Sequence, residues 1–416
     1  MSRQAPAAHS NVGFKEFVGL VAALMATQAI AVDGMLPALP VIASALRVPS
    51  GNDAQLIVTA YITGVGLGQV FWGVLSDRFG RRPILQIGLS MYVVAAILCG
   101  LTHDFHSLLV LRAIHGVAAA SVVIARSCVR DRFTGRRMAR VMSLTFIVFL
   151  MIPVLAPTLG QAVMALAPWR TIFLVFAGFA MLVLAWTALR LPETLHPEYR
   201  LTLSVNQIKK ALALVLFNRT SITYTVTLAI MFGSILAYVG MVQQIFQDVF
   251  HRASMMPEMF AVCASSMGVT SYLNSRIVER FGMRIISQIG LLCFIAVTAV
   301  HVLIIKLGFE SLGSFVVLQS ITMACIGVIS SNCGAMAMEP VGAVAGVGAA
   351  LQGMISTTGG AIVGASVGKL FNGTVMPLAL GALVCGLISF GLVIVAERGR
   401  LFSPHHGGEL SGDFYH

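Results

Sequence analysis

Charge is scarce in this sequence. Only 10% of its 416 residues are Asp, Glu, Lys or Arg, and 57% are hydrophobic, whereas an ordinary soluble domain is about 25% charged. So few charges cannot solvate a soluble surface of this size. Apolar runs of about 20 residues recur along the chain, and each is long enough to cross the hydrocarbon layer as a helix. We therefore predict an all-α, polytopic membrane protein.

Sequence patterns that hold nucleotides or metals are also missing. The chain has no P-loop, no Rossmann fingerprint, no H-E-x-x-H and no metal-spaced His/Cys cluster. Its seven cysteines are scattered without C-x-x-C spacing, which favours reduced packing residues over a disulfide framework. These absences leave no basis for an ATP-driven pump or a membrane enzyme, and we expect no cofactor and no metal.

The apolar runs predict twelve membrane spans. Their approximate positions are 17–38, 55–75, 84–102, 106–126, 141–164, 169–191, 220–246, 256–274, 285–306, 314–338, 343–370 and 377–396. The first run carries Asp33, and Pro37 and Pro40 follow it. It is also too long for the apolar core of a secretion signal, so we interpret it as the first span.

The net charge of +11 does not indicate nucleic acid, because the basic residues lie in short loops and form no continuous face. With both termini in the cytoplasm, most of the 27 basic residues lie on the cytoplasmic side, as the positive-inside rule requires. The basic residues left on the outer side are Arg47, Arg170, Arg252, Lys306 and Lys369. We expect a multi-pass protein of the cell inner membrane.

An internal repeat divides the chain into two halves. Residues 76–88 align with residues 278–290 at an offset of 202, and eight of the thirteen positions are identical. Parallel repeats of six spans are typical of transporters whose halves rock about a central site. We predict an N-terminal half over 1–191, a cytoplasmic linker over 192–219, a C-terminal half over 220–396 and a cytoplasmic tail over 397–416.

Two opposite charges lie within the spans. Arg112 is about six residues from the outer end of the fourth span, roughly 9 Å at the helical rise, and Asp33 lies at a similar depth in the first span. An unpaired guanidinium there is expensive, so it should face a wet cavity or a carboxylate; if the two helices are adjacent, the pair can form. The alternatives are an arginine that snorkels to the interface and an aspartate exposed at a helix end.

His115 lies one turn deeper than Arg112. Both a hydrogen-bonded packing histidine and a proton carrier fit this position, and the first fits better. Gly360, Gly364 and Gly368 repeat at four-residue spacing in span eleven. They indicate close helix packing rather than ligand contact.

The loop after span two resembles the signature of the major facilitator superfamily, a family of membrane transporters. Its residues are Gly73, Asp77, Arg78, Gly80 and Arg81, and the second copy has Ser275 in place of Gly73 and Glu279 in place of Asp77. The resemblance implies that this loop is a cytoplasmic gate between the halves. It also implies the major facilitator fold of twelve transmembrane helices in two six-helix halves.

A second resemblance narrows the family. The segment Asp33 to Pro40 is similar to the D-x-x-L-P-x-L-P pattern of the bicyclomycin and chloramphenicol resistance (Bcr/CflA) drug:proton antiporters, and Leu111 to Gly116 is similar to the R-x-x-x-G pattern of the superfamily. Span five carries an antiporter-like motif at Pro153, Pro157 and Gly160, although Ala156 and Gln161 replace two of its glycines.

The resemblance implies a proton-coupled multidrug exporter that works by alternating access as a monomer, with small-molecule substrates, protons and the lipid bilayer as its partners. Asp33 and Arg112 would couple protons to substrate. Apolar and aromatic residues would line the cavity, and the candidates are Met35, Tyr61, Tyr238 and His115. A proton-coupled importer of a small metabolite and a non-transporting membrane receptor remain the alternatives.

Overall fold

The structure is a computed structural model that describes residues 12–48, 50–133, 135–196, 198, 212–213 and 215–402. Within those ranges, the side chains of 51, 135–140, 142–143, 146–151, 153–154, 279 and 342–347 lie outside the description. Most of the predicted linker, including 199–211, and the tail from 403 onward also lie outside it.

Twelve long helices form from the described residues, one for each predicted span. They are α1 Phe14–Ala45, α2 Asn52–Phe79, α3 Arg81–Leu101, α4 Phe105–Arg132, α5 Gly135–Leu166, α6 Arg170–Arg190, α7 Arg219–Val249, α8 Met256–Phe281, α9 Met283–Lys306, α10 Leu312–Val341, α11 Ala345–Gly368 and α12 Met376–Ala396. Nine of them are long and apolar enough in their described residues to cross a membrane. The remaining three are α5, α8 and α11.

α8 is the most polar of these helices, and its hydroxyl groups bind a neighbour. The Ser266 hydroxyl donates to the Ser320 carbonyl of α10 at 2.7 Å, and the Thr270 hydroxyl donates to the Ala324 carbonyl at 2.8 Å. A hydroxyl that faces another helix has a hydrogen-bond partner in place of lipid. Polarity inside this span therefore holds two helices together.

α1 is interrupted near its end. Its first helix ends at Asp33, a 3₁₀ turn follows over Leu36–Ala38, and a short helix runs over Leu39–Ala45. Pro37 and Pro40 stand in these pieces, and proline has no N–H to give to the preceding turn. The break places Asp33 at a helix terminus, where the last backbone carbonyls lack intrahelical donors.

The two copies of the repeat have similar backbone angles at their glycine. Gly80 has φ 103° and ψ 156°, and Gly282 has φ 81° and ψ 152°. Side chains other than glycine rarely adopt a positive φ of this kind. Each glycine therefore permits the tight turn from the second helix of its half into the third. We call the end of the bundle that contains these two turns the arginine-rich end, and the other the opposite end.

The halves meet along α2 and α11. A Cβ atom at Gly66 would lie 2.3 Å from the Thr358 hydroxyl, and one at Gly353 would lie 2.0 Å from the Gln69 amide oxygen. The Gln69 amide also donates to the Thr357 hydroxyl at 3.0 Å. Glycine thus lets the two helices approach closely enough for polar side chains to bond across the seam.

Candidate functional site

Arg112 is completely buried, with none of its surface exposed. Its Nη2 donates to the Ala31 carbonyl of α1 at 3.0 Å, and its Nε donates to the Ile57 carbonyl of α2 at 3.3 Å. Its Nη1 lies 3.1 Å from Nδ1 of His115. A buried charge needs such partners, and here all three are neutral. The side chain faces the interior and does not snorkel to the interface.

Aromatic rings enclose the same guanidinium. Its Cζ lies 4.3 Å from the centre of the Tyr61 ring and 5.9 Å from that of Phe173, within the range of cation–π attraction. The ring centroids of Tyr92 and His115 lie 4.0 Å apart, and the Tyr92 hydroxyl donates to the Thr27 carbonyl at 2.9 Å. His115 is therefore packed against the Tyr61 and Tyr92 rings and bonded to Arg112 through Nδ1, while its Nε2 has no hydrogen-bond partner among the described residues.

Glycines bring α4 against α2 and so place Tyr61 beside Arg112. A Cβ atom at Gly116 would lie 1.9 Å from the Tyr61 carbonyl, and one at Gly64 would lie 2.1 Å from the Ala113 carbonyl. No side chain fits at either distance. The contact between the helices is therefore backbone on backbone, and the R-x-x-x-G spacing has a steric reason.

Asp33 is buried too, with 8% of its surface exposed. Within the described part of the chain its carboxylate has no hydrogen bond, and none of the ion pairs includes it. The predicted Asp33–Arg112 pair is thus not formed, because backbone carbonyls hold the guanidinium instead. One of them belongs to Ala31, so the two charged residues do lie at one level on adjacent helices.

The antiporter-like motif of α5 lies beside Asp33. A Cβ atom at Gly160 would lie 2.2 Å from the Gly34 carbonyl and 3.5 Å from Pro37. Pro157 is buried in α5, and the side chain of Pro153 is outside the described residues. Gly160 therefore lets α5 touch the backbone of α1 directly after the aspartate.

The four candidate cavity residues are all buried, and they belong to four different helices. Tyr61 and His115 surround Arg112, and Met35 lies just beyond Asp33 in the break of α1. Tyr238 belongs to the other half, where its ring stacks on Phe260 with centroids 5.6 Å apart. Met35, Tyr61 and Tyr238 nevertheless belong to one continuous hydrophobic core.

The gate motif forms a charged cluster at the arginine-rich end. Arg81 pairs with Asp77, and its Nε bonds Asp131 at 2.9 Å. The carboxylate of Glu193 accepts from the backbone N–H groups of Arg81 at 2.9 Å and Arg82 at 3.2 Å. These are orphan donors at the start of α3, which an anion stabilises.

The remaining gate residues pack around this cluster. Arg78 lies over the Phe79 ring, and Gly73 faces Ala350 of α11 across the seam, where an added Cβ would lie 3.8 Å away. Sequence reasoning did not assign Asp131 or Glu193 to the cluster.

Amide side chains join the halves at the opposite end. Gln55 donates to the Gln244 oxygen at 2.7 Å, and Gln244 donates to the Asn52 oxygen at 3.0 Å. Asn52 donates to the carbonyls of Phe371 at 2.8 Å and Lys369 at 3.2 Å. We call Asn52, Gln55 and Gln244 the amide latch. Sequence analysis missed it, since isolated Asn and Gln residues at helix ends have no diagnostic pattern.

The glycine repeat of α11 is a packing surface, as predicted. Cβ atoms at Gly360 and Gly364 would collide with α7, at 2.6 Å from Phe232 and 2.6 Å from Leu236. One at Gly368 would lie 1.9 Å from Gln55. The absence of a side chain at Gly368 therefore leaves room for the Gln55 amide of the latch.

Metal and disulfide chemistry find no support in the described residues. They contain no group of three or more His, Cys, Asp or Glu that could hold an ion. All seven cysteines are free.

Twelve helices in two halves, nine of them long and apolar enough in their described residues to cross a membrane, with a buried arginine and a buried carboxylate in the first half, form the architecture of a membrane transporter. The sequence profile described as Major Facilitator Superfamily matches residues 20–365, and the chain belongs to that family. The solved structure of the human organic anion transporter MFSD10 (TETRAN) has the same fold, with a TM-score of 0.62, 17% identity, and coverage of 92% of this chain and 98% of that one.

Curated relatives extend over nearly the whole chain. An uncharacterized MFS-type transporter, YdgK of Bacillus subtilis, is 32% identical across 87% of this chain and 91% of its own length. A bicyclomycin resistance protein homolog of Haemophilus influenzae is 28% identical across 86% of this chain and 90% of its own length. The resemblance to drug-efflux members of the superfamily is confirmed.

Proposed function

We propose that this protein is a proton-coupled multidrug antiporter that exports amphiphilic, drug-like compounds by alternating access. It would act as a monomer in the cell inner membrane, with the arginine-rich end and both termini in the cytoplasm. Residues 1–191 and 220–396 would be the two moving halves and 192–219 their linker. Relatives named for multidrug, bicyclomycin and chloramphenicol resistance support this substrate class.

The observation that carries the proposal is the bare, buried carboxylate of Asp33. A carboxylate held in an ion pair resists protonation, because the proton must compete with the fixed partner. Asp33 has no such partner in the described residues, so it gains or loses a proton without breaking a contact. Substrate and proton then compete for it, and that competition is what exchange requires.

Arg112 supplies a fixed positive potential at the level of Asp33. Because carbonyls and an imidazole hold the guanidinium, its charge is not cancelled by an acid. It attracts carbonyl or other electronegative groups of a substrate. When the drug leaves, the proton returns to Asp33 and restores a neutral carboxyl group.

The amide latch supports an alternating cycle. It joins the halves at the opposite end, which is the outer side in the proposed orientation, so its bonds must break before drug can leave to the outside. Its bonds join neutral groups across the halves, and each contributes only about 0.5–1.5 kcal/mol net. The outer side can therefore open at moderate cost.

One proton suffices to drive measurable export. A unit charge that crosses 100 mV releases about 2.3 kcal/mol. At 1.4 kcal/mol for each tenfold ratio, that energy sustains a drug gradient of roughly 40-fold. No second energy source is needed.

A proton-coupled importer of a small metabolite is the second candidate. The buried guanidinium without an acidic partner favours it, since an anionic metabolite would pair there. Inverted membrane vesicles distinguish the two directions. An exporter accumulates bicyclomycin or ethidium inside inverted vesicles with an acidic interior, and an uncoupler abolishes the accumulation. Vesicles that accumulate neither drug, but lose a loaded anionic metabolite as protons leave, would reject drug export.

A further inference from the structure

A pocket lies beside the amide latch at the opposite end, and both halves build it. Its wall includes Leu39, Pro40, Ala43 and Gln55 from the first half, and Gln243 and Asp248 from the second. Its volume is about 180 Å³. The substrate cavity of the proposed cycle lies at the level of Arg112 and Asp33, and neither residue lines this pocket. The pocket is therefore a separate feature of the seam.

Size decides what the pocket can hold. Sites for drug-sized ligands occupy about 300–1,000 Å³, whereas an apolar cavity of about 150 Å³ holds one benzene ring. With about 180 Å³, this pocket accepts a single ring and a short polar arm.

The polar side chains of the pocket favour a ligand that donates hydrogen bonds. Gln243 is 7% exposed, and its amide oxygen has no hydrogen-bond partner among the described residues. A buried acceptor without a partner is costly, and a ligand N–H removes that cost. Asp248 stands at the exposed rim, and no ion pair between described residues includes it. A wall of apolar and glutamine side chains, with a carboxylate at the mouth, suits an organic ammonium ion.

We propose that this pocket binds a single-ring organic ammonium ion from the outer side, and that the bound ion holds the two halves together at that end. The side from which the ion binds and its effect on closure rest on the proposed function, because they assume that the opposite end is the outer side and that this end opens and closes. The site itself rests only on the pocket. Because its walls belong to different halves, the site exists only while the latch is closed, so binding and closure favour each other.

The test uses the whole protein in lipid nanodiscs with benzylammonium as the probe and benzyl alcohol as its uncharged match. A ligand of the folded state raises the melting temperature as its concentration exceeds its Kd. Gln243→Leu should weaken benzylammonium binding about tenfold, since it removes an acceptor for a charged donor. Asp248→Asn should weaken it by up to about 5-fold, as for a partly exposed ion pair, and should leave benzyl alcohol unaffected.

Asp53→Asn is the matched control, because Asp53 lies at the same end but does not line the pocket. It should bind benzylammonium like the unaltered protein. Asn52 belongs to the latch and does not line the pocket. Asn52→Ala should therefore weaken benzylammonium binding by opening the seam between the halves. Equal binding by the unaltered protein, Gln243→Leu and Asp248→Asn would overturn the site. Undiminished binding by Asn52→Ala would overturn its link to closure.

Asp33→Asn separates this inference from the transport mechanism. That variant should lose proton coupling and still bind benzylammonium with unchanged affinity. Loss of binding in Asp33→Asn would show that the probe occupies the transport site, which would overturn the inference. If the protein exports no drug, but Gln243→Leu and Asp248→Asn still weaken benzylammonium binding, the proposed function is rejected and the site remains.

Discussion

Arg112 donates a hydrogen bond from Nη2 to the backbone carbonyl of Ala31, 3.0 Å away. The acceptor is two residues before Asp33, at the point where the first part of α1 ends. The arginine of α4 therefore holds the helix terminus on which the aspartate stands, and does not hold the aspartate itself. This arrangement fixes the position of the carboxylate and leaves it without a partner among the described residues.

Arg112→Lys should reduce drug export at least about tenfold while the protein still folds. Lysine has one nitrogen, and it cannot reproduce the planar fork that reaches Ala31, Ile57 and His115 at once. Transport in inverted vesicles measures the loss. The exposed Arg47→Lys is the control and should retain full transport; equal activity of both variants would remove Arg112 from the mechanism.

Gly116→Ala should disrupt the contact between α2 and α4. The added methyl group would lie 1.9 Å from the Tyr61 carbonyl, so the helices must separate and Tyr61 must leave Arg112. We expect a loss of about 1–3 kcal/mol, typical of overpacking, seen as a lower melting temperature in detergent. Gly178→Ala is matched, since no atom lies within 4 Å of its added Cβ. A Gly116→Ala protein that melts like Gly178→Ala would contradict the packing.

Asn52→Leu should open the opposite end. It removes the bonds to Phe371 and Lys369 and the acceptor for Gln244, and at about 0.5–1.5 kcal/mol each this shifts the closed-to-open ratio by tenfold or more. Spin labels at Ser50 and Asn372, both exposed, report the distance between the halves, in a background where Cys293 is replaced. Because the latch is neutral, salt should not change this distance. A distance distribution identical to that of Asp53→Asn would show that the latch does not hold the end closed.

The fold could be predicted from the sequence because apolar length is a strong local signal. All twelve helices were expected, and glycines such as Gly80 and Gly282 gave the turns because few other residues tolerate their backbone angles. The depth of Arg112 and Asp33 was also predictable by counting from helix ends.

The contacts of the site were less predictable. Arg112 bonds to backbone carbonyls, and every residue has a carbonyl, so the sequence carries no sign of which ones accept. Helix rotation decides that Tyr92 faces His115 and that Tyr238 faces Phe260. The amide latch depends on how the halves meet across residues about 190 to 320 positions apart, which no local pattern encodes.

Release of a proton from Asp33 on drug binding tests the central claim most directly. Purified protein in weakly buffered detergent solution, mixed with bicyclomycin or the best-exported compound, should acidify the medium by about one proton per bound drug, as competition between proton and drug for one carboxyl group requires. Glu310→Gln, which alters another partly buried acid, should release the same amount, and Asp33→Asn should bind drug and release none. Undiminished proton release by Asp33→Asn would contradict the account.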